Sequence, residues 1–152
     1  MRHPSGSKQT KDATAYLKIG DAARLAGISP SVIRSWERLG LTRPRRTASK
    51  YRMYTSEDVE LLKRARFLRK VQLAQLCLAT GNEAIAEPVL NDLAEEIDRR
   101  NLKEWELADV VAQPLTMLYR CLDRTPEAAQ EKRELYARIC RLYPARAVRL
   151  PR

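Results

Sequence analysis

The first third of the chain carries small and apolar residues at helical spacing, broken by residues that end or begin helices. The spacing predicts a first short helix from about Ile19 to Ala26, and Gly27 fits the left-handed conformation that ends it. Ser29 is placed to cap a second helix with Pro30 in its first turn, and that helix is predicted to run to about Leu39. We expect the core of this segment to consist of Ile19, Leu25, Ile28, Val32, Ile33 and Leu39.

The pattern changes between Leu41 and Tyr54. Pro44 stops helix propagation, and the sequence RRTASKYRMY has the alternation of two short strands joined by a turn at residues 48–50. Thr55 or Ser56 is then predicted to cap a new helix. The first turn of that helix holds two acidic residues that favour a helix N-terminus, Glu57 and Asp58. Two short helices followed by a basic hairpin are typical of a helix-turn-helix with a wing.

Helical spacing continues to the end of the chain, with no strand-like alternation of comparable length after Tyr54. The apolar positions that carry it are Ile85, Val89, Leu93, Ile97, Leu107, Val111, Leu115, Leu118, Leu122, Leu135, Ile139 and Leu142. Pro114 is expected to kink or restart its helix, and Thr125 with Pro126 is expected to begin the last one. The predicted fold class is therefore mainly α: a winged helix-turn-helix with a short β-hairpin wing, followed by an all-α helical bundle.

The net charge of +10 is concentrated in the first half of the chain. Residues 1–72 hold 17 Lys and Arg against 6 Asp and Glu, a net charge of +11. Residues 73–152 hold 12 against 13, a net charge of −1. This asymmetry indicates that one half meets a polyanion, because a generally solvated basic surface would spread its charge more evenly. Nucleic acid is favoured over an anionic membrane.

Residues 17–62 resemble the DNA-binding domain of the MerR family of transcriptional regulators. The resemblance rests on IGDAARLAGISPSVIRSWERLGL, then PRR, then KYRMYTSEDVELL, in that order and spacing. A helix-turn-helix pattern alone is weakly specific, but the Arg-rich segment and the YRxY wing make the combination strongly specific. The resemblance implies that double-stranded DNA is the partner of this part of the chain.

The candidate DNA contacts lie in the second helix and in the wing. On the outer side of a helix that would fit the major groove, the polar residues are Ser31, Arg34, Ser35 and Arg38. The wing residues that can neutralise or hydrogen-bond to phosphates are Arg45, Arg46, Lys50, Tyr51, Arg52 and Tyr54. The resemblance implies that Arg34 grips a phosphate and that Trp36 either packs or touches the DNA backbone. Core positions are an equally good interpretation of Trp36 and Tyr54, and a solvated helix face is an alternative for Arg38.

Residues 66–150 are similar to the C-terminal helical domain of TssA-type type VI secretion proteins. The similarity rests on FLRKVQLAQLCL, EEIDRRNLKEWE and LYRCLD…ARICRLYPARA, and it implies self-assembly into a ring that attaches to a secretion apparatus. The predicted domain organisation is a disordered leader over 1–15, a MerR-like winged helix-turn-helix over 16–65 and a TssA-like helical oligomerisation domain over 66–150.

Residues that could carry catalysis or hold a metal are sparse. The three cysteines at 77, 121 and 140 lack CxxC spacing, and the single histidine, His3, lies in the predicted leader. The acidic pairs 95–96 and 104–106 are expected to be exposed helical carboxylates, and Trp105 is expected in the core. We therefore expect no enzyme activity, no cofactor and no metal. The absence of a signal peptide and of an apolar run near the roughly 18 residues that span a bilayer predicts a cytoplasmic protein without a membrane partner.

Two functions of different classes remain. In the first, the protein is a DNA-binding transcriptional regulator whose helical half self-associates, so that two winged domains reach two half-sites. In the alternative, it is a type VI secretion assembly component that carries an added DNA-binding head. The expected partners are double-stranded DNA and further copies of the chain in the first case, and type VI secretion components in the second.

Overall fold

A computed structural model describes residues 15–122 and 128–151, and the chain divides into two compact units, Met1–Arg66 and Phe67–Arg152. The predicted fold class, a winged helix-turn-helix with a short hairpin followed by an all-α region, is confirmed. The predicted leader, apart from residue 15, and the predicted start of the last helix at Thr125 and Pro126 lie outside the described residues. None of the described helices is long and apolar enough to cross a membrane.

The helix-turn-helix forms where the sequence predicts it. Helix α1 spans Ile19–Ala26 and helix α2 spans Pro30–Arg38. Gly27 adopts a φ of 67° between them, and the backbone N–H groups of residues 27 and 28 donate to carbonyls in the last turn of α1 at 3.3 and 3.1 Å. The hydroxyl of Ser29 accepts a 3.3 Å hydrogen bond from the N–H of Val32, which satisfies one of the unpaired donors at the start of α2.

The core of the first unit differs in part from the predicted one. Ile33 is fully buried, but Leu25 and Leu39 are 46% and 67% exposed, so those two expectations are wrong. Alanines form the inward face of α1 and leave Leu25 on its outer side, while Leu39 lies beyond the last turn of α2. Three other predicted residues are partly buried and pack against the core: Ile19, Ile28 and Val32. The other core residues are Ala22, Ala23, Ala26, Trp36, Tyr54, Val59 and Leu62.

The wing is a short antiparallel hairpin. Strand β1 spans Arg45–Arg46 and strand β2 spans Arg52–Met53, with Arg46 opposite Arg52. An isolated bridge between Leu17 and Tyr54 extends the pairing, with N–H to carbonyl distances of 2.8 and 2.9 Å. The segment before α1 is therefore hydrogen-bonded to the end of the wing, which fixes the wing beside the two helices.

Helix α3 spans Ser56–Ala79 and begins with a reciprocal cap. The Thr55 hydroxyl accepts a 3.1 Å bond from the N–H of Asp58, and the Asp58 carboxylate accepts a 2.7 Å bond from the N–H of Thr55. Further along α3, the Nη1 of Arg66 donates to the Ala26 carbonyl at 2.8 Å, at the end of α1. A helix that starts after the wing thereby supports the turn of the helix-turn-helix.

The described part of the second unit is helical throughout. Its elements after α3 are α4 (Glu83–Arg99), a 3-10 turn (Leu102–Glu104), α5 (Ala108–Cys121), α6 (Ala129–Leu142) and α7 (Pro144–Ala147). Helix α5 continues through the buried Pro114, so the predicted restart of this helix is not observed. The central residues of the core are Phe67, Val71, Leu90, Leu93, Ile97, Leu102, Val111, Leu115, Leu118 and Ile139.

Several side chains of the second unit lie elsewhere than the sequence pattern indicates. Ile85 and Leu107 are 55% and 68% exposed, because they stand in the first turn of α4 and just before α5. Trp105 is 53% exposed, with the guanidinium of Arg100 5.5 Å from its ring centroid, so the expectation of a core position is wrong. Glu96 is 1% exposed and ion-paired with Arg100 at 3.0 Å, which corrects the expectation that its carboxylate is exposed.

We expect Gly27→Ala to destabilise the first unit more than Gly40→Ala. Both glycines have positive φ, but a Cβ at Gly27 would lie 2.2 Å from Nη1 of Arg66, whereas nothing lies within 4 Å of a Cβ at Gly40. Backbone strain alone costs about 1 kcal/mol at either position. At Gly27 the displaced Arg66 also loses its bond to the Ala26 carbonyl, which adds about 1 kcal/mol.

Urea unfolding of the full chain measures this difference, and Gly40→Ala is the matched control for strain without a steric contact. Equal losses of unfolding free energy in the two variants would mean that the Arg66 contact contributes nothing to the stability of the turn.

Candidate nucleic-acid interface

The predicted groove-facing residues of α2 share one face of that helix. Ser31, Arg34 and Arg38 are exposed and Ser35 is half-buried, on the side opposite the buried Ile33. Their spacing of three and four residues places them one above the other along the helix. This exposed face is short and polar, with two hydroxyls and two guanidinium groups.

A cleft of about 750 Å³ lies between the α1–α2 segment and the wing, and we call it the basic groove. Four of the predicted contact residues line it: Arg34, Lys50, Tyr51 and Arg52. It is also lined by Lys18, Ile19, Thr47, Ser49 and Met53. The other seven predicted residues do not line the groove: Ser31, Ser35, Trp36 and Arg38 lie on α2, Arg45 and Arg46 on the first wing strand, and Tyr54 directly after the second.

Lys18, Thr47 and Ser49 are groove residues that the sequence analysis missed. Lys18 precedes α1 directly, and the two hydroxyl residues belong to the turn of the wing. Thr47 also holds that turn, since its N–H donates to the Tyr51 carbonyl at 3.0 Å and its hydroxyl accepts from the Tyr51 N–H at 3.1 Å. The sequence does hold signals for these groove positions. Lys18 is a basic residue at a helix start, and Thr47 and Ser49 are hydroxyl residues in a basic turn.

Glu37 joins α2 to the wing. One carboxylate oxygen accepts from Nη2 of Arg46 at 2.6 Å, and the other accepts from Nε of Arg52 at 2.5 Å. The Glu37 side chain is 17% exposed, whereas its partners Arg46 and Arg52 are 46% and 31% exposed, so the carboxylate is largely covered and the guanidinium groups are in part open to solvent. Glu37 was not a predicted site residue, because a lone carboxylate in a helix predicted to bind DNA has no visible partner until the wing folds over it.

The ion pair between Glu37 and Arg52 shifts the pKa values of both residues. The hydrogen bond from Arg52 lowers the pKa of the Glu37 carboxyl below its ordinary value of 4.5, against the opposing effect of burial and with further help from Arg46. The same hydrogen bond raises the pKa of Arg52. Glu37 is therefore a carboxylate and Arg52 a guanidinium at neutral pH, and each fixes the other.

The wing arginines differ in how they are engaged. Arg46 and Arg52 are bound to Glu37, and Nη1 of Arg45 donates to the Tyr16 hydroxyl at 2.9 Å. In contrast, Arg34 and Lys50 form no ion pair with any carboxylate in the described part of the chain. Their charges are uncompensated within the basic groove, where an anion would be attracted.

Two predicted contact residues belong to the core. Trp36 is 6% exposed and Tyr54 is 1% exposed, and both pack with Ile33 and Leu62. Burial also raises the pKa of the Tyr54 hydroxyl, which has no hydrogen-bond partner among the described residues. This burial agrees with the core alternative that the sequence left open for Trp36 and Tyr54, and contact of either residue with DNA stays a prediction.

Within residues 15–122 and 128–151, no group of three or more His, Cys, Asp and Glu side chains could hold a metal ion. The basic groove itself contains hydroxyl and cationic groups, which suit phosphate oxygens rather than a cation.

Two segments of the chain match known protein families. Residues 17–74 match the MerR HTH family of regulatory proteins, and residues 62–115 match the type VI secretion family that includes EvfE, EvfF, ImpA, BimE and VasJ. The chain thus carries a MerR-type helix-turn-helix domain at its N-terminus and a type VI secretion VasJ/ImpA-type segment after it, as both resemblances predicted. The second match ends at residue 115 rather than 150, and the two matches overlap within α3.

Several curated relatives are transcriptional regulators. The HTH-type transcriptional repressor CarH of Myxococcus xanthus is 48% identical over 57 residues, which cover 37% of this chain and 19% of the relative. The repressor CarA of the same organism is 33% identical over 110 residues, covering 70% of this chain and 36% of the relative. The regulator HmrR of Sinorhizobium medicae is 42% identical over 57 residues, covering 37% of each. The matches thus span well under two thirds of these relatives, and no solved structure gives a significant match.

We expect Glu37→Gln to weaken the fold at neutral pH and to matter less in acid. Because the pKa of Glu37 is lowered in the folded state, its ion pairs stabilise the protein above its ordinary pKa of 4.5. That contribution is lost as the pH falls through the lowered value. The expected cost near pH 7 is about 1 kcal/mol, since Arg46 is half exposed and solvent screens its share.

Urea unfolding at a series of pH values checks this expectation, with Glu95→Gln, an exposed carboxylate on α4, as the matched control. A difference between Glu37→Gln and the parent protein that stays constant down to about pH 3 would show that charge on Glu37 is not the source of the stability.

Proposed function

We propose that the protein is a DNA-binding transcriptional regulator, in which the exposed face of α2 enters the major groove and the basic groove receives the flanking phosphates. The observation that carries this proposal is the pair of uncompensated cations, Arg34 and Lys50, that line one cleft beside that face. The regulator names of the relatives that match the first unit support the same function.

Within this proposal the two sets of contacts have different roles. Arg34, Lys50 and Lys18 bind phosphates with the help of the Thr47 and Ser49 hydroxyls, which positions the domain without reading sequence. Ser31, Ser35 and Arg38 face the base edges, where a well-placed bidentate contact discriminates by about 1–3 kcal/mol. Arg38 is the residue suited to guanine, because its guanidinium can bond to both acceptors of that base.

Glu37 has a positioning role in this scheme. By holding Arg46 and Arg52, it fixes the wing relative to α2 before DNA arrives, so the spacing between phosphate contacts and base contacts is preset. A preset spacing lowers the ordering cost of binding. Glu37 itself stays out of contact with DNA, since a carboxylate facing a phosphate would repel it.

We further propose that the helical half self-associates and thereby presents two winged heads to two half-sites. One head has few phosphate contacts, so a second head on the same duplex raises affinity through effective concentration. Exposed apolar side chains on the second unit, among them Leu73, Leu76 and Leu107, leave surface for such contacts. This arrangement requires only binding to an operator sequence. Twisting of a promoter would require the long helix after the wing through which MerR-family regulators pair as dimers.

A second candidate function rests on the match of residues 62–115 to the type VI secretion family. In it, the helical half assembles with secretion components and the basic head is an adaptor. Strong, salt-dependent duplex binding favours the regulator, and a large ring without DNA affinity favours the secretion component.

We expect Arg34→Gln and Lys50→Gln each to weaken binding across all duplex sequences. Each change removes one phosphate contact, so the slope of log affinity against log salt concentration should fall by about one unit. Fluorescence anisotropy with pooled random duplexes at several salt concentrations measures both quantities. Arg141→Gln, an exposed arginine on α6, is the control with the same charge change and should leave affinity and slope within about twofold of the parent. Unchanged binding by both head variants would exclude the basic groove as the phosphate site.

We expect the full chain to sediment at a mass above that of its 17.5 kDa monomer at micromolar concentrations, because two heads must be held together. Sedimentation velocity at several protein concentrations, with and without duplex, measures the mass of the free protein and of the complex. A monomer in both states would remove self-association from the proposal while leaving single-head DNA binding intact.

A further inference from the structure

The second unit contains a pocket that the DNA-binding proposal does not use. Its volume is about 280 Å³, and we call it the arginine pocket. Its polar lining consists of Asp109, Thr116, Arg120, Tyr143, Arg146 and Arg149.

Side chains from two helical segments form the arginine pocket. Asp109, Thr116 and Arg120 are separated by seven and four residues along α5, which places them on one face of that helix. Arg146 on α7 and Arg149 just after it come from a second helical segment, which packs against α5. Thr116 is 5% exposed, and its hydroxyl donates to the carbonyl of residue 112 at 2.7 Å. This hydrogen bond fixes the Thr116 side chain in the lining of the pocket.

The charges in the arginine pocket do not balance. Asp109 neutralises Arg146, since Nε and Nη2 of Arg146 lie 2.8 and 2.7 Å from one carboxylate oxygen. Arg120 and Arg149 have no ion pair with a carboxylate among the described residues. Within the described residues, the pocket therefore has two positive charges without a carboxylate partner, in a half of the chain whose net charge is −1 over residues 73–152. Like charges brought together around one cavity repel each other, and an anion between them removes that cost.

We propose that the arginine pocket binds the phosphate group of a small phosphomonoester. Guanidinium groups present paired N–H donors that match two oxygens of a tetrahedral phosphate, which a single lysine charge does not do. Arg120 supplies donors from α5 and Arg149 from the segment just after α7, and the Asp109 ion pair holds Arg146 in place in the same lining. The volume admits a phosphate with a few attached heavy atoms. This site lies in the second unit, and the inference does not depend on DNA binding by the first.

The test is a titration of the full chain with inorganic phosphate at constant ionic strength. Its readout is the NMR signals of the arginine Nε–H groups. The Arg120 and Arg149 signals are assigned from Arg120→Gln and Arg149→Gln. We expect the signals of Arg120, Arg146 and Arg149 to follow one saturating curve with a common dissociation constant. The double variant Arg120→Gln/Arg149→Gln should raise the dissociation constant read at Arg146 about tenfold or more, as expected for the loss of charge-assisted hydrogen bonds.

The matched control is Arg99→Gln/Arg141→Gln, which removes the same charge from exposed positions on α4 and α6 and should leave the curve unchanged. Drift of all arginine signals without saturation would mean an adventitious ion only and would overturn the proposal. Saturation by duplex DNA but not by inorganic phosphate at the three pocket arginines would also overturn it, in favour of a nucleic-acid contact. Anisotropy with duplex DNA on the same variants reports separately on the first unit, so failure here and failure of the DNA-binding proposal are distinguishable.

Discussion

The carboxylate of Glu37 is the contact on which the geometry of the first unit depends. A wing of two short strands has little stability of its own, because two-residue strands make few ladder bonds. Glu37 binds one arginine from each strand and so attaches the hairpin to α2. The bridge between Leu17 and Tyr54 secures the other side of the hairpin. Together these contacts place the basic groove beside the exposed face of α2, where the proposed phosphate and base contacts have to coincide.

The division of charge along the chain gives the two units different chemistry. In the first, compensated arginines build the frame and uncompensated cations, Arg34 and Lys50, remain for a ligand. In the second, charges mostly balance, as in the buried pair of Glu96 and Arg100. In the arginine pocket, by contrast, Arg120 and Arg149 have no ion pair with a described carboxylate, although the surrounding half is close to neutral. In both units, which arginines form ion pairs is a better guide to the candidate sites than how many arginines there are.

Local sequence rules predicted most of the first unit. The helix start at Ser29, the left-handed Gly27 and the first-turn acids of α3 all involve residues within four positions of each other, so they are readable from the chain. The predictions were wrong where contacts between distant segments decide whether a side chain is buried. Leu25 was expected in the core, but the alanine face of α1 is the one that meets the rest of the unit. Trp105 was expected to be buried, but its ring lies at the surface under Arg100.

The amino-acid sequence by itself determined the helix-turn-helix, the basic wing, the helical second half and the resemblance to two protein families, since each depends on spacing, capping residues and charge within short segments. Only the tertiary structure decided which cations are engaged and which are uncompensated. Arg46 and Arg52 are as basic as Arg34 in the sequence, yet a carboxylate nine to fifteen residues away binds them. Ion pairing over such separations follows from how the hairpin folds onto α2, and no local pattern encodes it.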